Sequence, residues 1–356
     1  MSIRARISPA VTKVTLLALL FIFWHKTSTA SSFALDPVTE EPWKEVVLSV
    51  TDPNSTARFF KEIGGYIEKH RGDMNISEIE SWGLDPGLSA DFVLLGVPGQ
   101  SQADIRLVRF QHLSHRSPMR PGSRAWDTGC YFSIMIRTKN IRKIYDDAIA
   151  MGWWSETPIT QLQFGTSDLK VVIFRGPDGI QVQGYERISP PLPKAIPEFE
   201  RFTRPFNIMQ TVSDRDAAYD FFTNVLGFQT FYKGTQVLPE VPTPSPLGIP
   251  INLTTSVPYK VGILYPKPGE FGRVEVIEIV GLKGIDYSKR CNPPNLGILA
   301  LRFKVVSAER VAKLIESRGW DLTHPVKKSL IPGLGNVKIF SIKTPDGAII
   351  QFYSSI

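Results

Sequence analysis

A ten-residue stretch occurs twice in this chain, as FRGPDGIQVQ over residues 174–183 and as IKTPDGAIIQ over residues 342–351. In both copies a Pro-Asp-Gly turn joins two apolar runs, and a Gln ends the second run at the same offset. This pattern predicts two neighbouring strands with a tight connection. A repeated closing element indicates internal duplication, which has to be recognised before single residues are interpreted.

A second pair of matching signals lies ahead of those closing stretches. RFF at residues 58–60 is followed by GY at 65–66, and DFF at 220–222 is followed by GF at 227–228. Together the signals divide the chain into four copies of one layout, a strand and a helix followed by further strands. We therefore expect an α+β fold of four β-α-β-β-β modules, paired into two cupped antiparallel sheets. The concave face of such a sheet suits a small molecule.

Prolines concentrate between the second and third copies. Residues 188–205 contain five of them, and proline fits neither a helix interior nor a central strand. The sequence thus predicts a linker at 188–205 between one domain at 43–187 and a second at 206–355. Modules 1 and 2 are expected to share one cup, and modules 3 and 4 the other.

The first 30 residues are typical of a secretory signal peptide. Three cations up to Lys13 precede an apolar run over residues 14–24, and small residues follow at 28–30. The apolar run is shorter than the ~20 residues that span a bilayer. We expect export to a periplasm or the exterior, with a mature chain that begins near Ser31 and has no stable membrane span. The alternative is an uncleaved membrane anchor, which Lys26 favours.

The charge balance argues against a nucleic-acid partner. The full chain carries 41 basic and 34 acidic residues, but four of the basic residues fall within residues 1–30. Without them the net charge is about +3, too weak for a nucleic-acid footprint. The oligomeric state is left open.

The chain has two cysteines, Cys130 and Cys291. Each precedes an even-numbered copy of the repeat, so they occupy similar places. In an exported protein they could form a disulfide, and they could equally be two buried free thiols.

This layout resembles the vicinal oxygen chelate superfamily, which includes glyoxalase I, extradiol dioxygenases, methylmalonyl-CoA epimerase and the bleomycin-binding proteins. The resemblance covers about residues 43–355 and implies two tandem glyoxalase-like domains. It also implies a divalent metal in the cup. Its ligands would come from the first strand of a module, usually His or Gln, and from the last strand, usually Glu.

Carried over to this chain, the ligand positions hold no histidine. They are Glu45, Arg106, Tyr131 and Gln183 in the expected first cup, and Asn207, Glu275, Ala300 and Gln351 in the expected second cup. Transition metals prefer imidazole and carboxylate ligands, and a guanidinium would repel the cation. We therefore predict no bound cofactor, although a divalent metal at a divergent site stays open. His112 and His115 are the histidine pair to test.

The polar positions allow two interpretations in each cup. Arg106 either forms an ion pair with Glu45 or holds an anionic ligand. Glu275 is either a general base with a raised pKa or a buried carboxylate satisfied by Asn207 and Gln351. Glu278 is the alternative to Glu275 if the register is shifted.

A proline-rich insertion at 238–258 follows the helix of the third copy. It is interpreted either as a lid over the expected second cup or as an external excursion. The lid hypothesis places the principal pocket beside Asn207, Glu275 and Gln351.

Three functions follow from these features. The first is an exported protein that binds a small molecule in a metal-free cup. The second is an enzyme, a lyase, isomerase or dioxygenase relative, that uses Glu275 as a general base or a divergent metal site. The third is a structural or partner-binding protein whose cups are filled by side chains. The sequence does not decide whether the chain is an enzyme.

Overall fold

A computed structural model describes residues 35–113, 115–122 and 124–356. The expected signal peptide at residues 1–30 lies outside this part of the chain. Residues 35–356 group into one compact unit. Within the described residues, every helix is too short or too polar to cross a membrane.

The first two modules show the expected order of a strand, a helix and three further strands. Module 1 consists of β1 (Glu45–Ser49), α1 (Pro53–Arg58), β2 (Ile67–Asp73), α2 (Ile76–Ser81), β3 (Ala90–Gly96) and β4 (Asp104–Phe110). Module 2 consists of β5 (Ser133–Arg137), α3 (Ile141–Ala150), β6 (Thr160–Phe164), β7 (Ser167–Arg175) and β8 (Gln181–Ser189). Module 1 therefore carries an additional helix, α2.

The last two modules repeat that order. Module 3 consists of β9 (Asn207–Thr211), α4 (Arg215–Asp220), β10 (Gln229–Lys233), β11 (Tyr259–Tyr265) and β12 (Arg273–Ile279). Module 4 consists of β13 (Gly297–Lys304), α5 (Ala308–Ser317), β14 (His324–Ile331), β15 (Gly335–Lys343) and β16 (Ile349–Ser355). The FF signals form π-helical turns, Phe59–Ile63 after α1 and Phe221–Val225 after α4.

The modules pair differently from the expectation. One eight-stranded sheet has the order β14-β15-β16-β13-β1-β4-β3-β2, and the other has the order β10-β11-β12-β9-β5-β8-β7-β6. Module 1 therefore shares a sheet with module 4, and module 2 shares one with module 3. We call these the 1–4 sheet and the 2–3 sheet. The prediction that modules 1 and 2 share one cup and modules 3 and 4 share the other was wrong. The domain boundaries at 43–187 and 206–355 stay a prediction.

Both sheets join through the first strands of their modules. β1 runs antiparallel to β13, with Glu45 opposite Arg302, and β5 runs antiparallel to β9, with Met135 opposite Asn207. Most neighbouring strands are antiparallel, whereas the first and last strands of each module are parallel. The residues at the centre of each sheet thus come from two modules, which are the first and the last in the 1–4 sheet and consecutive in the 2–3 sheet.

The largest apolar cluster takes side chains from all four modules and from their helices. Phe59, after α1, stacks on Trp153, after α3, with ring centroids 3.8 Å apart. Phe221, after α4, contacts Trp320, after α5, at 4.7 Å. The helical layer therefore packs module 1 against module 2 and module 3 against module 4, although the two members of each pair belong to different sheets.

The Pro-Asp-Gly stretch forms the turn that its sequence predicts. Asp178 and Gly179 both have positive φ, 60° and 76°, which favours glycine at the second position. The Asp178 carboxylate also accepts a bond from the backbone N–H of Thr51 at 2.7 Å. The turn of module 2 is thereby fixed to module 1.

Cys130 and Cys291 form a disulfide, at a sequence separation of 161. Cys130 precedes β5 of the 2–3 sheet and Cys291 precedes β13 of the 1–4 sheet, so the bond joins the two sheets. Both residues are buried. Of the two alternatives that the sequence left open, the structure has the disulfide.

Candidate ligand-binding site

A buried ion network fills the concave face of the 1–4 sheet. Glu45 on β1 accepts two bonds from Arg106 on β4, from Nε and Nη2, each at 2.9 Å. Arg302 on β13 donates to the same carboxylate at 3.1 Å and to Gln351 on β16 at 2.8 Å. Burial alone would raise the pKa of Glu45, but Arg106 and Arg302 outweigh it and hold this pKa at about 2. All four side chains are buried.

Helix α2 closes this cup. Glu78 on α2 accepts a bond from Arg302 at 2.8 Å, so two carboxylates balance two guanidinium groups. The guanidinium of Arg302 lies 5.3 Å from the ring of Trp82, and that of Arg106 lies 4.5 Å from the ring of Phe92. Arg106 therefore forms the ion pair with Glu45, which is one of the two interpretations that the sequence allowed.

The concave face of the 2–3 sheet instead contains a cavity of about 550 Å³. Its floor is formed by β5, β8, β9, β11 and β12. The walls are mainly apolar, and the central lining residues are Met135, Gln183, Asn207, Met209, Ile263 and Glu275. The two cups of one chain thus differ, since one is filled by side chains and the other is open.

Glu275 on β12 is the buried carboxyl group of this cavity. Its Oε2 accepts a bond from Nδ2 of Asn207 on β9 at 2.8 Å. Burial raises the pKa of Glu275 to about 7, although the bond from Asn207 and the charge of Arg273 oppose the rise. Near neutral pH such a carboxyl group can accept or donate a proton, which is a property of general acids and bases.

Gln183 and Tyr185 on β8 form a second polar group in the cavity. The Tyr185 hydroxyl donates to Oε1 of Gln183 at 2.8 Å, and Nε2 of Gln183 donates to the hydroxyl of Ser133 at 2.6 Å. Burial, with a further contribution from the charge of Glu275, raises the pKa of Tyr185 well above its ordinary value. The phenol therefore stays a hydrogen-bond donor at neutral pH.

The proline-rich insertion at 238–258 covers this cavity. Pro244, Pro246 and Leu247 line it. Ile249 is buried in the apolar cluster that extends from the sheet. The insertion thus lies where the lid hypothesis requires, but over the cup of modules 2 and 3.

The residues of neither cup fit a divalent metal. Two guanidinium groups occupy the 1–4 cup, and the corresponding positions of the 2–3 cup hold one thioether, two amides and one carboxyl, from Met135, Gln183, Asn207 and Glu275. Throughout the described part of the chain, no three His, Cys, Asp or Glu side chains come together as a metal site. The donor set of each cup therefore differs from the imidazole and carboxylate sets that transition metals prefer.

His112, His115 and Glu278 lie away from the cavity lining. His112 and His115 are in the loop after β4, and Nε2 of His115 lies 3.0 Å from the Ser117 hydroxyl. Glu278 accepts a bond from Lys260 at 3.2 Å. Of the two candidate carboxyl groups on β12, Glu275 lines the cavity and Glu278 does not.

The structure regroups the expected site residues. Gln351, expected beside Asn207 and Glu275, lies in the 1–4 network, and Gln183, expected beside Glu45, lies in the 2–3 cavity. Both errors follow from the assumed pairing of modules. The glutamines themselves occupy equivalent positions of β8 and β16, since Met135 pairs with Gln183 as Arg302 pairs with Gln351.

Two expected positions were also shifted along their strands. Tyr131 precedes β5, and its hydroxyl donates to the carbonyl oxygen of Ile349 at 2.9 Å, so it lies outside the cavity lining. Ala300 lies opposite Val47, and the residue opposite Glu45 is Arg302. The residue of β13 that meets Glu45 is therefore Arg302, two positions further along the strand than Ala300.

Sequence reasoning missed Arg302 and Glu78. A lone arginine within the otherwise apolar strand GILALRFK was a usable signal for Arg302, because a buried cation needs a partner. Glu78 gave no such signal, since it lies on a short helix in a polar stretch.

Solved structures with a similar fold include glyoxalase I from Zea mays. A point mutant of glyoxalase I from Zea mays superposes with a TM-score of 0.59 at 15% identity, covering 88% of this chain and 93% of that chain. The unmutated Zea mays enzyme gives 0.59 at 14% identity, with 88% and 92% covered. A Bacillus subtilis protein with a provisional dioxygenase assignment gives 0.51 at 11%, with 88% and 85% covered.

These likenesses define the class of fold. The chain has the vicinal oxygen chelate fold, built as two curled eight-stranded sheets from four modules. No protein-family model matches the sequence. A search of curated proteins also finds no match.

Proposed function

We propose that this protein binds a small organic molecule in the 2–3 cup, without a metal ion. The cavity of about 550 Å³, which contains the buried carboxyl group of Glu275, carries this proposal. Ligand sites are typically cavities of ~300–1,000 Å³ with apolar walls and a few fixed polar groups. The ion network gives the 1–4 cup a structural role instead.

A titration with N-phenyl-1-naphthylamine, a neutral apolar fluorophore, tests the binding. We expect saturable binding of one probe per chain. Ile263→Trp, which places an indole in the cavity, should weaken binding by more than ~10-fold because the indole occupies space that the aromatic rings of the probe need. Gln161→Trp on the exposed face of edge strand β6 is the matched control and should bind as the wild type does. Unchanged binding by Ile263→Trp would refute the site, and one equivalent of zinc, iron, manganese or nickel after dialysis would refute the metal-free part.

A second candidate is an enzyme with Glu275 as general base. The raised pKa of about 7 supports it, because a base works best when its pKa lies near the working pH. Native mass spectrometry of the purified protein would identify a retained ligand. If that ligand is turned over, Glu275→Gln should keep the binding and lose the turnover. Full turnover by Glu275→Gln would eliminate this candidate.

Export of the mature chain is part of the proposal. The disulfide between Cys130 and Cys291 supports it, because disulfides persist in oxidising compartments. N-terminal sequencing of the secreted or periplasmic protein should give a start near Ser31. An intact Met1 in a cytosolic fraction would contradict export.

A further inference from the structure

Three arginines line one end of the 2–3 cavity. Arg137 ends β5, Arg187 lies near the end of β8, and Arg273 begins β12. The pairing of Arg137 with Tyr185, and of Asn207 with Arg273, places these residues at the same end of the sheet. We call this group the arginine end.

Arg137 and Arg273 are held in fixed positions. Arg137 donates to the Glu270 carboxylate at 2.8 Å, and its guanidinium lies 4.1 Å from the ring of Phe206. Arg273 approaches the same carboxylate at 3.5 Å and lies 3.9 Å from the ring of Phe231. Two guanidinium groups thus share one carboxylate.

Arg187 has no such partner. Among the described residues, its guanidinium takes part in none of the hydrogen bonds or ion pairs of the structure. Its Nε is buried without an acceptor, and the Nε of Arg273 is in the same condition. Two N–H donors at this end of the cavity are therefore unsatisfied, and an unpaired buried polar group is costly.

The charges at this end do not balance. Arg137, Arg187 and Arg273 line the cavity with two acidic residues, Glu270 and Glu275. The Glu270 carboxylate pairs with Arg137 and Arg273. Burial, together with the charges of neighbouring arginines, lowers the pKa of Arg137 to about 9 despite Glu270. An anion bound here would relieve that repulsion and satisfy the free donors.

We propose that the ligand of the 2–3 cup is an organic anion, whose carboxylate or sulfonate group lies at the arginine end and whose apolar body fills the remaining cavity. The inference rests on the proposed binding function and adds the chemical class of the ligand. Apolar side chains line the rest of the cavity, among them Met135, Met209, Ile263 and Ile277. Arg187 is the residue that the anion engages, because its donors are free.

Two fluorophores with one ring skeleton test this inference. 1-Anilinonaphthalene-8-sulfonate carries a sulfonate that N-phenyl-1-naphthylamine lacks. Arg187→Gln should weaken binding of the sulfonate by about 10- to 100-fold, as expected when a charge-assisted bond is lost. The neutral probe should bind Arg187→Gln and the wild type equally. Arg187→Lys, which keeps the charge, should lose less, and Arg142→Gln on the exposed face of α3 should change neither affinity.

The outcomes separate the two proposals. If the wild type binds the neutral probe and Arg187→Gln leaves sulfonate binding unchanged, the anion inference is wrong while the binding function stands. Equal weakening of both probes also overturns it, because the change then acts on the cavity and not on the charge. If neither probe binds the wild type saturably, the binding function fails and the inference fails with it.

Discussion

At the scale of single residues, equivalent positions of the two sheets carry opposite charges. Arg106 lies opposite Leu94 in the 1–4 sheet, and Glu275 lies opposite Ile263 in the 2–3 sheet. Arg106 meets a carboxylate, whereas Glu275 meets the neutral amide of Asn207. The charges of Glu45, Glu78, Arg106 and Arg302 balance and fill one cup, whereas Glu275 is paired with a neutral amide beside the open cavity of the other.

Glu275→Gln should stabilise the protein at alkaline pH. The pKa of Glu275 rises from 4.5 to about 7 on folding. The folded state therefore holds this proton more tightly than the unfolded state, and ionisation destabilises the fold as the pH rises from about 4.5 through 7. We expect the variant to unfold with a free energy about 3 kcal/mol higher at pH 8 and nearly unchanged at pH 4.5.

Denaturant unfolding at the two pH values measures this difference. The glutamine oxygen can still accept the bond from Asn207, so the variant keeps the local geometry. Glu278→Gln, on the opposite face of β12, is the control and should not gain stability at pH 8. A destabilised Glu275→Gln at pH 8 would show that the buried carboxylate is better compensated than these contacts indicate.

Arg302→Met should be strongly destabilising. Arg302 serves Glu45, Glu78 and Gln351 at once, and its removal leaves buried carboxylates with fewer partners. Breaking a buried ion pair from one side costs about 3–5 kcal/mol. Urea unfolding at pH 7 would measure the loss.

The exposed pair of the same sheet provides the control for that experiment. Arg71→Met removes the bonds between Arg71 and Glu68 on β2, and a surface pair contributes little. Its effect should be much smaller than that of Arg302→Met. Similar losses in the free energy of unfolding would mean that the buried network contributes no more stability than an exposed ion pair.

Residue-level prediction from sequence had a clear limit. Glu45 and Arg106 could be paired from their places on predicted strands of one module. Arg302 could not be assigned as their third partner, because its contact depends on the antiparallel register of β1 and β13, which lie in different modules. A shift of two residues keeps the same face of the strand, so the direction of the side chain does not decide between Ala300 and Arg302.

At the scale of elements, the module layout predicted three strands after each helix, but the sequence did not place the edge strands. β2, β6, β10 and β14 are the four edges of the two sheets. Their side chains are largely exposed, and all five of β10 are. An edge strand that faces solvent has little of the alternating apolar pattern that marks a strand in sequence. The strands on either side of the two Pro-Asp-Gly stretches, which are largely buried, have apolar runs and were predicted.

The insertion over the cavity should contribute to affinity through its stiffness. Replacing Pro244 and Pro246 by glycine frees the backbone of a segment that must be ordered around the ligand. We expect about 3- to 10-fold weaker binding of N-phenyl-1-naphthylamine. Fluorescence titration measures it.

A matched pair of prolines outside the cavity is the control. Pro86→Gly and Pro98→Gly change exposed loops of module 1 and should leave the probe affinity unchanged. If Pro244→Gly with Pro246→Gly also binds as the wild type does, the insertion is a wall whose rigidity does not matter.

At the scale of the whole molecule, the disulfide should contribute strongly to stability. It closes a separation of 161 residues between the two sheets. Constraining an unfolded chain over such a length stabilises the folded state by about 3–5 kcal/mol in the chain-entropy account. We expect reductant to lower the free energy of unfolding by that amount.

The variant with Cys130→Ala and Cys291→Ala separates the bond from other effects of reductant. It should be less stable than the oxidised wild type and should not respond to dithiothreitol. A wild type that loses no stability on complete reduction would contradict the expected role of the bond.

The sequence did not determine which modules pair with each other in a sheet. All four modules carry the same kind of opening strand, so each could pair with any other. The proline-rich segment at 188–205 was interpreted as a boundary between two domains, so modules 1 and 2 were expected to pair, and modules 3 and 4. In the structure modules 2 and 3, on either side of that segment, share a sheet. The helical layer explains how sequence neighbours still touch, because Phe59 and Trp153 meet although their modules belong to different sheets.

This nesting has a consequence for how the chain emerges during synthesis. A polypeptide leaves the ribosome from its N-terminus. The 2–3 sheet has all its strands once Ile279 has appeared, whereas β1 keeps an open edge until β13 arrives. The 1–4 sheet therefore contains the module that is synthesised first, and it is also the sheet that is completed last. A nascent chain stopped before Gly297 would hold every strand of the cavity and only half of the other sheet.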